Sequence, residues 1–244
     1  MLKAVFFDLD GTLLPLKEMK FARLYFKTLY KKVSFLGIKK LSLYKALYKG
    51  ALGVINNNGE QTNEKLFWDI VTNYLGKDIL NHMDLLNDYY LNEYKKCLKA
   101  SKKRPESKKI VEFCKVLGLK TVLSTNPVFP KAAVINRMDY VLLNENDFDY
   151  ITTYDNSRFC KPNPNYFKEI LNNLNLKPEE VIVIGNNEIE DGLCAKKAGI
   201  TSYLIDGKYL ITKNKKKDIE IPIIKLHDVI KTIKNEYDLR KENH

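Results

Sequence analysis

The chain has 244 residues, 45% of them hydrophobic and 29% charged, which is ordinary for a globular protein large enough to bury a full core. Its longest apolar runs are far shorter than the roughly 18 residues that a membrane-spanning helix needs. The first residues enter a predicted strand directly. We therefore expect no membrane span and no cleavable signal sequence.

The net charge of +11 comes mainly from scattered lysines. Short basic clusters occur at 31–32, 39–40, 102–104 and 215–217, without an arginine-rich arm or a nucleic-acid-binding motif. We expect no specific nucleic-acid partner, only weak non-specific binding, although the positive field could steer an anionic substrate towards a cleft.

Cysteine and histidine are sparse and do not form a zinc-binding pattern. The residues of these two types are Cys97, Cys114, Cys160, Cys194, His82, His227 and His244. The cysteines are far apart in sequence and include no C-x-x-C pair. They are best interpreted as reduced, buried thiols, which favours a cytoplasmic location.

Short apolar runs alternate with helical patterns along most of the chain. The runs at 4–7, 121–123, 150–153, 181–184 and 203–205 are typical of buried strands. Helices are predicted at 106–117, 165–174, 191–198 and 223–237, followed by a frayed tail at 239–244. Strands separated by helices favour an α/β fold with a parallel sheet.

Roughly a hundred residues separate the first two strands, which is too many for an ordinary crossover. This stretch is rich in Leu, Tyr and Phe at helical spacing, with breaks near Gly37, at 56–59 and at Gly76. We predict four helices forming a separate helical domain over 15–100. The core domain then comprises 1–14 and 101–244.

The first predicted strand ends on two carboxylates, Asp8 and Asp10, followed by Gly11 and Thr12. The carboxyl end of a strand in an open α/β sheet is where such proteins bind ligands. Taken alone, Asp-x-Asp is as compatible with a polar turn as with a functional site.

Later strands end in polar groups of other types: Ser124, Thr125 and Asn126 after the second, Lys161 after the third, and Asn186, Asn187 and Asp191 after the fourth. Because neighbouring parallel strands end at one edge, these groups should converge with the two acids. A carboxylate nucleophile, a second acid, hydrogen-bond donors and a cation are the parts needed to transfer a phosphoryl group through an aspartyl intermediate.

With these motifs in this order, the chain resembles the haloacid dehalogenase superfamily, in its phosphatase form with a helical cap inserted after the first motif. The resemblance implies a Rossmann-like, doubly wound parallel sheet and a small phosphorylated substrate. It implies that Asp8 is the nucleophile and Asp10 the general acid/base. Thr125, Asn126 and Lys161 would bind the phosphoryl group.

The resemblance also implies Mg²⁺ held by Asp8, by the backbone carbonyl of Asp10 and by Asp191. The second acid, Asp10, favours a phosphatase, since the dehalogenase branch lacks it.

The fourth motif departs from the family pattern, which usually begins Gly-Asp, because Asn186 stands where the acid is expected. An amide oxygen can bind Mg²⁺ or orient a metal-bound water, but it adds no negative charge. Glu188 or Glu190 could compensate, although helical geometry lets only one of them face the site. A catalytically weakened binding protein therefore remains an alternative to a phosphatase. A phosphomutase of the same superfamily is another, because the sequence does not show whether the cap shields an aspartyl phosphate from water.

Overall fold

A computed structural model describes residues 1–213 and 219–242. These residues contain a six-stranded parallel sheet of order β3-β2-β1-β4-β5-β6. The strands are β1 (Ala4–Phe7), β2 (Lys120–Leu123), β3 (Tyr150–Ile151), β4 (Val181–Gly185), β5 (Thr201–Ile205) and β6 (Ile223–Ile224). The predicted α/β fold with a doubly wound parallel sheet is confirmed. The lysines at 215–217 and His244 lie outside the described residues.

The helices are α1 (Glu18–Val33), α2 (Lys40–Ile55), α3 (Asn63–Leu75), α4 (Met83–Leu91), α5 (Pro105–Val116), α6 (Lys131–Tyr140), α7 (Asn165–Leu174), α8 (Cys194–Lys197) and α9 (Val229–Glu242). Short 3₁₀ segments cover Ser34–Leu36, Lys77–His82, Glu93–Ala100, Glu145–Asp147, Pro178–Glu180 and Leu226–Asp228. A π-helical segment covers Glu188–Leu193.

Strand β1 is buried on both faces, as expected for the centre of a parallel sheet. Val5 and Phe7 belong to one apolar cluster, whereas Ala4 and Phe6 belong to a second cluster on the opposite face. The alternation follows from the two-residue period of a strand.

The carboxyl ends of β1, β2 and β4 lie side by side at the same height. Phe7 is in register with Leu123 on one side and with Ile184 on the other. The Asp8 N–H donates to the Ile184 carbonyl at 3.0 Å, and the Ser124 N–H donates to the Phe7 carbonyl at 2.7 Å. The residues that follow these strands therefore start from neighbouring backbone positions.

Two predicted elements are shorter or differently wound than expected. Strand β3 ends at Ile151 rather than at residue 153, because the Thr153 N–H donates to the Asn156 side chain. The helix predicted at 191–198 is π-helical at first, since the Gly192 N–H donates to the carbonyl of Asn187, five residues earlier. Only α8 continues as α-helix.

The carboxyl-terminal prediction is wrong in two respects. The helix predicted at 223–237 begins only at Val229, because Ile223 and Ile224 pair with β5 as an edge strand. The tail predicted to fray from 239 is helical up to Glu242. Arg240 holds this last turn, donating to the Glu179 carbonyl at 2.7 Å.

Residues 15–100, between β1 and α5, contain four α-helices, α1 to α4, with breaks where the sequence predicts them. Gly37 and Gly76 adopt positive φ angles at two of these breaks. Tyrosines of this stretch, among them Tyr25, Tyr89 and Tyr94, pack against one another in its interior. The division into a core domain and a cap domain at 15–100 stays a prediction.

No helix within 1–213 and 219–242 is both long and apolar enough to cross a membrane. The four cysteines, all within the described ranges, are buried and free. The expectation of buried, unpaired thiols is thus confirmed.

Candidate active site

Asp8, the first residue after β1, is buried, and both of its carboxylate oxygens have partners. Oδ1 accepts from Lys161 Nζ at 2.9 Å, and Oδ2 accepts from the Thr12 hydroxyl at 2.9 Å. Burial raises the pKa of Asp8 to about 7, with Lys161 acting in the opposite direction. The side chain is thus a desolvated carboxylate whose charge depends on nearby cations.

Lys161 lies beneath the site with only 1% of its side chain exposed. Its ammonium bridges Asp8 and Asp191, the second contact being 2.7 Å. Burial favours the neutral amine, but Asp191 and Asp8 outweigh burial and hold the pKa of Lys161 well above its usual range. Asn126 fixes this loop, because its Oδ1 accepts from the Lys161 N–H at 2.9 Å.

Asp191 is buried, and its carboxylate accepts hydrogen bonds from the backbone of the loop that follows β4. Its Oδ1 contacts Lys161, and its Oδ2 accepts from the N–H groups of Asn186 and Asn187 at 3.0 Å each. A Cβ atom on Gly185 would lie 2.2 Å from the Asp191 carboxylate carbon. Only glycine at the end of β4 therefore admits this carboxylate.

Asn186 turns its amide oxygen towards Thr12, which the sequence places beside the acids. Asn186 Oδ1 accepts from the Thr12 hydroxyl at 2.8 Å, while Nδ2 donates to the Tyr209 carbonyl at 2.6 Å. Gly11, with φ of +95°, packs against the same amide, and a Cβ there would lie 2.3 Å from Nδ2. The amide is consequently held in one orientation, with its oxygen on the Thr12 side.

Asp10 forms an ion pair that the sequence does not predict. Its Oδ2 contacts Nη1 of Arg137, a residue of α6 with 2% of its side chain exposed. Neither α6 nor Arg137 carries a motif, so no local signal in the sequence points to this contact. The Tyr209 carbonyl beside Asn186 is unpredictable for a similar reason, because any residue supplies a backbone carbonyl.

Six of the seven predicted site residues line one cavity of about 230 Å³: Asp8, Asp10, Thr125, Asn126, Asn186 and Asp191. The seventh, Lys161, touches two of them from below. Glu188 and Glu190 are the two residues that could supply the negative charge missing at Asn186. Glu190 lines the cavity, and its carboxylate accepts from Asn126 Nδ2 at 3.0 Å. The Glu188 carboxylate instead accepts from the Lys213 N–H at 2.7 Å.

Apolar side chains from both parts of the chain complete the cavity wall. Leu16 and Phe21 come from the predicted cap, whereas Phe129 and Ile211 come from the predicted core. A bound molecule would therefore touch both parts.

The donor set of the cavity suits a hard cation. Within the described ranges, no group of three His, Cys, Asp or Glu side chains is arranged to hold a metal. Oxygen donors are nevertheless gathered there, namely Asp8, Asn186 and Asp191, and Asp10 lines the same cavity. Mg²⁺ commonly takes one or two carboxylates and completes its coordination with water and substrate phosphate, so these residues fit it.

Residues 2–199 match the family model for haloacid dehalogenase-like hydrolases. The chain therefore belongs to this hydrolase family, as its motifs predict. Among curated proteins, the glyceraldehyde 3-phosphate phosphatase of Methanothermobacter thermautotrophicus is 38% identical over 61 residues. That match spans 25% of this chain and 27% of the relative, so it covers only about a quarter of either protein.

Solved structures share the fold over nearly the whole chain. A HAD phosphatase from Thermococcus onnurineus has 22% identity and a TM-score of 0.59, covering 95% of this chain and 98% of its own. A putative β-phosphoglucomutase from Thermotoga maritima has 21% identity and a TM-score of 0.56, covering 96% and 99%. The L-2-haloacid dehalogenase of Xanthobacter autotrophicus has 15% identity and a TM-score of 0.54, again covering 96% and 99%.

Proposed function

We propose that this hydrolase is a Mg²⁺-dependent phosphatase that acts on small phosphorylated metabolites through an aspartyl phosphate on Asp8. The contact between Asp8 and Lys161, at a cavity that Asp10 and Thr125 also line, carries the proposal. It brings a nucleophile, a second acid and phosphoryl-binding groups to one place. The local similarity to a phosphatase supports the same reading.

In the first step, an Asp8 carboxylate oxygen attacks phosphorus, and the bond from phosphorus to the leaving oxygen breaks. Asp10 donates a proton to that oxygen. In the second step, Asp10 takes a proton from a water molecule that attacks the aspartyl phosphate, releasing phosphate and regenerating Asp8. Lys161, with Thr125 and Asn126, stabilises the phosphoryl oxygens throughout.

Asp8, Asn186, Asp191 and the Asp10 carbonyl would hold Mg²⁺. The bound cation supplies positive charge to offset the charge of the phosphoryl group. With an amide at position 186, the ligand set has fewer negative charges, so we expect weaker Mg²⁺ binding than an Asp would give.

Residues 15–100 would act as a cap that closes over the cavity, because Leu16 and Phe21 already contribute to its wall. Specificity would come from this stretch. The cytoplasmic location and the absence of a specific nucleic-acid partner stay predictions.

A phosphomutase of the same superfamily is the second candidate, since such an enzyme would use the same cavity. The two differ in product. A phosphatase releases inorganic phosphate, whereas a mutase returns the phosphoryl group to a sugar phosphate isomer.

The test is a screen of phosphorylated metabolites with Mg²⁺, following both inorganic phosphate and isomerised sugar phosphates. We expect phosphate release by the natural chain and its loss in Asp8→Asn. Asp84→Asn, which removes an exposed carboxylate on α4, is the matched control and should retain full activity. Beryllium fluoride with Mg²⁺ should give an adduct on Asp8, and a site that stays empty would favour the non-catalytic binding protein. An Asp8→Asn protein that hydrolyses at the natural rate would refute the assignment.

A further inference from the structure

Arg137 is a buried cation held from three sides. Its Nη1 contacts Asp10 Oδ2, its Nε donates to the Ala133 carbonyl at 3.3 Å, and its guanidinium carbon lies 5.0 Å from the Phe129 ring centroid. A guanidinium with 2% exposure would be costly without a counter-ion, so its position depends on Asp10.

The ion pair uses one oxygen of the carboxylate and one terminal nitrogen of the guanidinium. Asp10 Oδ1 and Arg137 Nη2 are both buried and have no hydrogen-bond partner among the described residues. Arg–carboxylate pairs are frequently bidentate, with both terminal groups used. Here Arg137 fixes one oxygen of Asp10, and the other oxygen has no partner among the described residues.

The two carboxylates of the Asp-x-Asp motif have separate cations. Lys161 pairs with Asp8, and Arg137 pairs with Asp10. Lys161 is shared between Asp8 and Asp191, whereas Arg137 pairs with Asp10, so the charge of Asp10 is compensated separately from that of Asp8.

We propose that Arg137 is a positioning residue that orients the Asp10 carboxylate for proton transfer in both steps. The inference rests on the proposed function, because it assigns to Arg137 the placing of the acid/base of that same reaction. Arg137 acts through Asp10 and does not line the cavity itself.

The experiment compares the rates of Arg137→Met and Arg137→Lys on two phosphate esters. The leaving group of one ester must be protonated, and that of the other need not be. p-Nitrophenolate leaves phosphate without protonation, whereas the alkoxide of glycerol 2-phosphate requires a proton from Asp10. For Arg137→Met we expect kcat/KM on glycerol 2-phosphate to fall at least about tenfold more than the burst rate on p-nitrophenyl phosphate. Arg137→Lys should recover part of the loss, and Arg23→Met, which removes an exposed arginine of α1, should change neither rate.

The same substitution in an Asp10→Asn background separates positioning from general damage. If Arg137 acts through Asp10, Arg137→Met should alter kcat/KM on glycerol 2-phosphate in that background less than about twofold. Equal losses on both substrates, or an undiminished loss in the Asp10→Asn background, would overturn the inference while leaving the phosphatase assignment intact.

The failure of the proposed function would look different. A natural chain that releases phosphate from none of the screened metabolites and from neither of these two phosphates with Mg²⁺ would contradict the phosphatase assignment and the role of Asp10 together. Thermal unfolding of the single and double variants gives a further readout that needs no activity. We expect Asp10→Asn to lower the Tm and Arg137→Met to restore part of it, because the second change removes the buried charge left unpaired. Additive losses of Tm would count against the pair.

Discussion

The Thr12 hydroxyl has one hydrogen and two acceptors within reach, Asp8 Oδ2 at 2.9 Å and Asn186 Oδ1 at 2.8 Å. It can donate to only one of them at a time. One of the two oxygens therefore always keeps its lone pairs free on the Thr12 side. This sharing places a carboxylate oxygen and an amide oxygen close together, as a site for a hard cation requires.

The substitution Asn186→Asp tests how much the amide at position 186 weakens Mg²⁺ binding. The added charge should lower the Mg²⁺ concentration for half-maximal activity roughly tenfold, equivalent to about 1.4 kcal/mol. The carboxylate would also face the Tyr209 carbonyl, to which Asn186 now donates, so the metal-free protein should lose about 1–3 kcal/mol of stability. Mg²⁺ titrations of activity and urea unfolding without metal measure the two effects.

Asn187→Asp is the matched control, since it adds the same charge one residue away. Asn187 Oδ1 accepts from the N–H groups of Ile189 and Glu190, and an aspartate can accept both bonds. We expect its Mg²⁺ dependence to stay near that of the natural chain. If both variants strengthen Mg²⁺ binding equally, the gain comes from the added negative charge in general. Asn186 would then not be a metal ligand.

At the scale of elements, the end of β4 and the π-helical segment after it form one unit around Asp191. Gly185 leaves room for the carboxylate, and the Asn186 and Asn187 N–H groups bind it. The carboxylate in turn faces Lys161. Movement of this segment would therefore displace the ammonium from Asp8.

Gly185→Ala should consequently lower kcat by at least about tenfold, because its Cβ would meet Asp191 and disturb the Lys161 contact. Gly53→Ala is a suitable comparison, since its Cβ would lie 2.1 Å from Ile70 Cδ1, the far end of a flexible side chain. That side chain can rotate away, so kcat should be retained. Steady-state kinetics with a shared substrate measures both, and equal kcat values would mean that the β4 segment tolerates displacement.

The sheet was predictable at its centre and less so at its edge. β1, β2 and β4 are apolar runs flanked by polar turns, and their parallel pairing brings Asp8, Thr125 and Asp191 to one edge. β6 has only two residues and depends on pairing with β5, so it carries too little pattern to distinguish it from a helix. The π-helical winding depends on which N–H groups reach the Asn187 carbonyl, which periodicity does not encode.

For the whole molecule, one link between the helical stretch and the loops at the sheet edge is polar and centred on Asn63, the first residue of α3. Asn63 is fully buried. Its Nδ2 donates to the Pro127 carbonyl at 3.2 Å and to the Phe159 carbonyl at 3.4 Å. These carbonyls belong to the loops that carry Asn126 and Lys161. The helix start is thus attached to the same loops that build the cavity.

The backbone reinforces the attachment. The N–H groups of Asn63 and Glu64 donate to the carbonyls of Ser157 and Tyr154, both at 2.8 Å. N–H groups in the first turn of a helix have no partner within the helix, so the loop after β3 satisfies them. We infer that these bonds hold the start of α3 against the loops at the edge of the sheet.

Asn63→Ala should therefore cost about 1–3 kcal/mol of unfolding free energy, because it leaves the buried Pro127 carbonyl without its Asn63 donor. It also removes one of the two acceptors of Asn57 Nδ2, which keeps the Gln61 carbonyl. It should also speed hydrogen exchange at the Asn63 and Glu64 amides, which depend on the same docking. Asn56→Ala removes an exposed amide that bonds only within its own helix end, so its cost should stay within about 0.5 kcal/mol. Urea unfolding measures the loss of stability, and hydrogen exchange measures the protection of the two amides. Unchanged protection of the Glu64 amide in Asn63→Ala would show that the backbone hydrogen bonds hold the start of α3 without the Asn63 side chain.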